Sequence, residues 1–176
     1  MRKKHLKTYN LESPVPLTLL FQKAGGFLSK KLPVQTSVKD ERLIKIRREQ
    51  IVKAAITLFK QKGFHRTTTR EIASLSGFSI GTLYEYIRTK EDILYLVCDE
   101  IYDEVQNKMR TMITIEEKTT ATTMQNAITA FFQIMHDLQD EVLVMYQEAK
   151  SLPKEHLRYV LQKEFQMVEI FETLIT

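Results

Sequence analysis

The chain has 176 residues, 43% of them hydrophobic, with five glycines and four prolines; it can bury one or two small cores and lacks the turn chemistry of a sheet-rich or disordered protein. Its one cysteine, Cys98, excludes an internal disulfide and a cysteine metal cluster, and fits a reducing, cytoplasmic setting. The net charge of +4 conceals a segregation: residues 1–90 hold 19 Lys and Arg against 6 Asp and Glu, a balance of +13, whereas residues 91–176 hold 7 against 16, a balance of −9, so one half suits a polyanion, nucleic acid first, and the other does not.

Residues 1–38 hold three of the four prolines, the Gly25-Gly26 pair and scattered basic residues without a sustained period, and are expected to form a loose extension. The basic start MRKKHLK is followed only by the short apolar piece PLTLLF, with no small-residue cleavage pattern, so neither a signal peptide nor a membrane span is expected. From about Asp40, Leu43, Ile44, Ile51, Ala54, Ala55, Leu58 and Phe59 recur at helical spacing until Gly63, which predicts a first helix and its stop. Thr68 and Glu71 form a Thr-x-x-Glu capping box, which predicts a short second helix burying Ile72, Ala73 and Leu75 and ending at Ser76-Gly77. Ser79 is placed to cap a third, two-turn helix with Leu83 and Ile87 toward the core. Thr89 and Asp92 repeat the box for a fourth helix over 89–109, with Val97, Ile101, Val105 and Met109 at steps of four; Cys98 on it reads as a small buried apolar residue. Met124, Ile128, Phe131, Met135, Leu138, Val142, Met145 and Ala149 continue in helical steps, with a break expected at 138–141, and Leu157 to Ile175 forms the stripe of a last helix.

Two short helices joined by a glycine-containing turn inside the basic half make a helix-turn-helix, whose second helix enters the major groove of DNA. Gly77 supplies the turn conformation, and Gly81, near the start of the second helix, lets the backbone approach DNA closely. Thr82, Tyr84 and Tyr86 offer hydroxyls and Arg88 and Lys90 offer cations, with Tyr86 divided between a core edge and DNA. Arg47, Arg48 and Arg88 read as general electrostatics.

The segment RREQIVKAAITLFKQKGFHRTTTREIASLSGFSIGTLYEYIRTKEDIL, residues 47–94, resembles the DNA-binding domain of the TetR (tetracycline repressor) family of bacterial regulators. AAITLF, Gly63-Phe64, TTTREIA, Gly77-Phe78-Ser79, GTLYEY and KEDIL carry the likeness, in order and without gaps, over about a quarter of the chain. The resemblance implies an all-α protein: a three-helix DNA-binding domain over 39–90, then a helical effector-binding and dimerisation domain over 91–176. It implies phosphate contacts from Thr68 or Thr69, Tyr84 and Lys90, a base contact from Arg70, and base reading around Ile80, Gly81 and Thr82. Ile80 departs from the polar or basic residues common there, which leaves contact with a thymine methyl as its readout.

The resemblance further implies a homodimer on a palindromic operator, released by a small effector. The Leu157–Ile175 stripe supplies one of the two C-terminal helices such dimers use; the second is missing or very short, which leaves a truncated sequence or a differently built dimer. Phe131, Phe132, Met135, Met145, Tyr146 and Phe165 are the candidate lining of an effector pocket, more readily plain core taken one at a time, and suited to an apolar, fatty-acid or acyl-CoA-like ligand. His136 and Asp140 stand four apart, an insufficient basis for a metal site, and no cofactor is expected. No HExxH, glycine-rich phosphate loop or GxSxG is present, so an enzyme is not expected. The rival reading is a helical interaction protein whose basic half binds acidic lipid or protein.

Overall fold

The computed structural model describes residues 31–112 and 121–175. The apolar PLTLLF piece before residue 31, and the side chains beyond Phe165, lie outside the described residues.

Regular structure among them is helical throughout. Helix α1, Glu41–Arg66, starts where Asp40 Oδ1 accepts the amides of Arg42 and Leu43 at 3.0 and 3.1 Å, and it breaks at Gly63, where φ is 78° and ψ 162°. Helices α2, Thr69–Leu75, and α3, Ile80–Tyr86, are two turns each. Helix α4, Lys90–Met112, opens on the expected box: Thr89 Oγ1 accepts the Asp92 amide at 3.1 Å and Asp92 Oδ2 accepts that of Thr89 at 2.9 Å. Helices α5, Ala121–Asp137, α6, Gln139–Glu148, and α7, Lys154–Ile175, follow, with a 3-10 turn over Ala149–Ser151. The break between α5 and α6 falls at Leu138, so His136 and Asp140 stand on different helices.

One apolar core runs through the basic half and on into the acidic half. Ile51, Phe59, Ile72, Leu83 and Ile87 join Ile93, Leu94, Val97 and Tyr102 of α4, and the same cluster takes in Met145, Leu152 and Val160. Helix α1 packs on both α4 and α6, so the halves divided by charge share a continuous interior. Each fully buried Ile or Leu there contributes roughly 1.5–3 kcal/mol against its exposed state. Cys98 is buried on α4 as expected, and burial, with Asp99 adding to it, pushes its thiol up to about 12.

Three placements differ from expectation. Leu75 is 53% exposed, because it lies two residues past buried Ala73, close to the opposite side of α2. The buried seam of α5 is Ala127, Ala130 and Ile134, continued by Leu138 in the break and packed with Val105 and Met109, while Met124, Phe131 and Met135 flank it and Ile128 and Phe132 are exposed. Alanines let α5 and α4 approach closely, and the larger side chains of the expected stripe are displaced to its edges. Finally, residues 31–38 do not lie loose: Val34 is buried, and the segment is hydrogen-bonded to α1, α3 and α4.

Candidate nucleic-acid interface

The interface rests on how α2 and α3 are held. Thr68 caps α2, its Oγ1 accepting the Glu71 amide at 3.3 Å while Glu71 Oε2 accepts the Thr68 amide at 2.9 Å. Glu71 also pairs with Lys62; that ammonium, then the Thr68 amide and hydroxyl, hold its carboxyl down at about 2. The turn that follows needs Gly77, whose φ is 78°, although an added Cβ there would meet nothing within 4 Å; the demand is conformational. Ser79 caps α3, accepting the Thr82 amide at 3.0 Å, and its hydroxyl shares a second hydrogen bond with Thr82 Oγ1 at 3.0 Å.

Several of the predicted contact residues are exposed. Thr69 Oγ1 and Tyr84 Oη are 3.2 Å apart, joining the start of α2 to α3, and the Tyr84 side chain is 45% exposed. Arg70, Ile80 and Gly81 are exposed, and Thr82 is half-buried. At Gly81 a Cβ would meet only Ser79 Oγ, 3.7 Å away, an ordinary contact. Among the described residues nothing requires glycine there.

Two predicted contacts sit elsewhere. Tyr86 is buried, tilted against Phe78 with ring centroids 6.4 Å apart, the core-edge side of its even division. Lys90 directs its ammonium inward, donating to the carbonyls of Phe64 and Thr67 at 3.0 and 3.1 Å and lying 4.2 Å from the Phe64 ring centroid. These carbonyls end α1, so the cation sits at the negative end of a helix. Lys90 thereby ties the first turn of α4 to the chain entering α2.

Sequence reasoning missed Arg48. It donates from Nε and Nη2 to the Tyr86 carbonyl at 3.1 and 3.0 Å and from Nη2 to the Val34 carbonyl at 2.7 Å, and burial lowers its pKa, partly offset by Asp92. Nothing in its local pattern separates it from its neighbour Arg47, which stacks over Phe78 with 5.2 Å from guanidinium carbon to ring centroid. The acidic half holds a second unforeseen group: buried Asp99, which accepts from Tyr159 Oη at 2.8 Å, pairs with Lys31 and has Lys163 at 3.7 Å. A carboxylate four residues after Tyr95 on a buried stripe was the legible sign that partners would be needed.

The six candidate effector residues have different surroundings. Met145 lies in the main core, Phe131 and Met135 flank the α4–α5 seam, Phe132 is 68% exposed, and Tyr146 and Phe165 are exposed, Tyr146 donating to Glu164 at 3.0 Å. Tyr102 on α4 is buried with its hydroxyl lacking a hydrogen-bond partner among the described residues. Among these residues no group of three metal-ligating side chains occurs, and no helix is long and apolar enough to cross a membrane.

Residues 51–95 match the family model described as bacterial regulatory proteins, tetR family. The chain is 31% identical over 121 residues to the HTH-type transcriptional regulator HbdR of Aromatoleum sp. (strain CIB), covering 68% of this chain and 52% of that protein. It is 29% identical over 110 residues to the HTH-type transcriptional repressor KstR2 of Mycolicibacterium smegmatis, covering 60% and 51%. A solved bacterial regulatory protein in the tetR family from Rhodococcus RHA1 superposes with a TM-score of 0.67 at 28% identity, over 73% of this chain and 67% of that one. These relatives are named as regulators, not as enzymes, and the chain spans about half the length of the two curated ones.

Proposed function

We propose that this chain, which belongs by its DNA-binding domain to the TetR family of bacterial transcriptional regulators, is a repressor that binds a two-fold symmetric operator as a homodimer and releases it when a small, largely apolar effector binds the acidic half. The reading is carried by Gly81: a glycine on the exposed start of α3, with no partner inside the fold that demands it, beside the hydroxyl pair of Thr69 and Tyr84. A side chain there would stand between the helix and whatever it lies against, and a helix in a major groove is the partner that fits the charge of residues 1–90.

On this reading residues 39–90 form the DNA-binding unit and 91–176 the effector and dimerisation unit. Thr69 and Tyr84, and Thr68 beside them, meet phosphate; Arg70, Ile80 and Thr82 face base edges. Lys90 acts from inside, holding the carbonyls ahead of α2. The effector lies near the apolar seam of Val105, Met109, Ala130 and Ile134, and the Tyr102 hydroxyl, one turn back along α4, is available to a polar end such as that of an acyl ligand. An effector favouring one arrangement of α4 shifts the population of dimers whose two α3 helices match their half-sites.

The test is selection from random duplex DNA by the purified chain, followed by anisotropy titrations of the recovered sequences. A two-fold symmetric site, weakened by Tyr84→Phe and Thr82→Ala, is the expected result. Salt-sensitive but sequence-blind binding would favour the acidic lipid or protein partner instead.

A further inference from the structure

The recognition helix α3 is seven residues long and ends at Ile87 in extended backbone, φ −141° and ψ 164°, without a glycine cap. Its last carbonyls therefore need partners from elsewhere. They are found in the segment that precedes α1 and in Arg48 of α1 itself. Thr36 Oγ1 donates to the Glu85 carbonyl at 2.7 Å and the Ser37 amide donates to the same oxygen at 3.0 Å. Arg48 bridges the Tyr86 carbonyl to that of Val34, which is itself buried.

The other end of this segment is anchored in the acidic half. Lys31 pairs with buried Asp99 of α4, whose other oxygen accepts from Tyr159 of α7, and the Leu32 amide donates to Tyr95 Oη at 3.2 Å. Lys163 of α7 lies 3.7 Å from Asp99 and pairs with Asp103, so the anchor is where α4 and α7 meet. Six residue steps separate Lys31 from Ser37, at most about 20 Å of extended chain, so the segment has little slack to absorb a displacement at either end.

We propose that residues 31–38 are a strap that couples the α4–α7 junction to the C-terminal end of the recognition helix, separate from the link through Lys90. A shift of α7 against α4 moves the Asp99 anchor, and the strap passes that displacement to the Glu85 and Tyr86 carbonyls. Its consequence for operator release rests on the function proposed above; the mechanical link does not.

The test compares Lys31→Met with Lys39→Met in the full chain. Both remove one positive charge from an exposed lysine ahead of α1, but Lys39 lies one residue past the strap and outside the anchor. Amide hydrogen exchange is read at Leu32, which reports the anchor, and at Ser37 and Ile87, which report the helix end. The strap predicts that Lys31→Met speeds exchange at all three, by tenfold or more at Ser37, and weakens binding to the selected duplex beyond the loss in Lys39→Met. Faster exchange confined to Leu32, or equal behaviour of the two variants, would overturn it. If the wild-type chain selects no duplex, the repressor reading fails and exchange alone decides the strap.

Discussion

The ammonium of Lys90 lies 3.0 Å from the carbonyl oxygen of Phe64 and 4.2 Å from the centroid of the same residue's ring. A lysine at the edge of a DNA-binding motif is thus occupied within the protein, holding the end of α1 against the start of α4. Lys90→Met keeps the aliphatic stem and removes the charge, and should cost about 2 kcal/mol in chemical denaturation from the lost charged hydrogen bonds and the ring contact. The salt dependence of operator binding should change by much less than the one unit expected for a lost phosphate contact. An unchanged stability with a full unit lost would return Lys90 to the DNA backbone.

The two glycines that bracket the start of α3 should respond in opposite ways. Gly77→Ala forces a side chain into φ 78° and should destabilise the fold by about 1–2 kcal/mol. Gly81→Ala meets only an ordinary contact and should leave the melting temperature unchanged or raised, since alanine favours helix by about 0.5–1 kcal/mol over glycine. Its operator affinity should fall all the same. Retained affinity in Gly81→Ala would show that no partner approaches α3 at that position.

What was legible followed from local rules. The boxes at Thr68 with Glu71 and Thr89 with Asp92, the Ser79 cap, the Gly77 turn and the break at Gly63 depend on residues within a few positions of each other, and all are present. The inward turn of Lys90, the burial of Tyr86 and the docking of residues 31–38 depend on partners far along the chain, which a period in the sequence does not name. The α5 seam differs for a related reason: the expected stripe runs through the larger Met124, Ile128, Phe131 and Met135, whereas helix approach at α4 selects Ala127 and Ala130.

Acid should loosen α2 before it loosens α1. The Glu71 carboxyl, held at about 2 by Lys62 and Thr68, is ionised in the folded chain over a range where the unfolded one is protonated. Because the folded value lies below the ordinary one of 4.5, the contribution is present above about pH 4.5 and is lost as pH falls toward 2. Wild-type protection of the α2 amides should decline across that window. In Glu71→Gln the decline should be flatter and start from a lower level; identical profiles would remove Glu71 as the cause.

Between the halves, Glu148 Oε1 accepts the Phe64 amide at 3.1 Å, just after the break at Gly63. A Cβ at residue 63 would sit 3.2 Å from that same oxygen and would carry the strain of φ 78°. Gly63→Ala should therefore destabilise by about 1–2 kcal/mol or more. Combining it with Glu148→Gln should be less than additive in a double-mutant cycle, because both changes act on one hydrogen bond. Full additivity would separate the two residues.

The central claim is that α3 reads sequence, and it is tested most directly by the specificity ratio. Affinity for the selected duplex is measured against a scrambled duplex of equal length and composition, at one physiological salt concentration. The account predicts a preference on the order of 10³ or more, collapsing in Arg70→Ala combined with Thr82→Ala while the double variant keeps the wild-type fold. A ratio near one, with steep salt dependence for both duplexes, would contradict it.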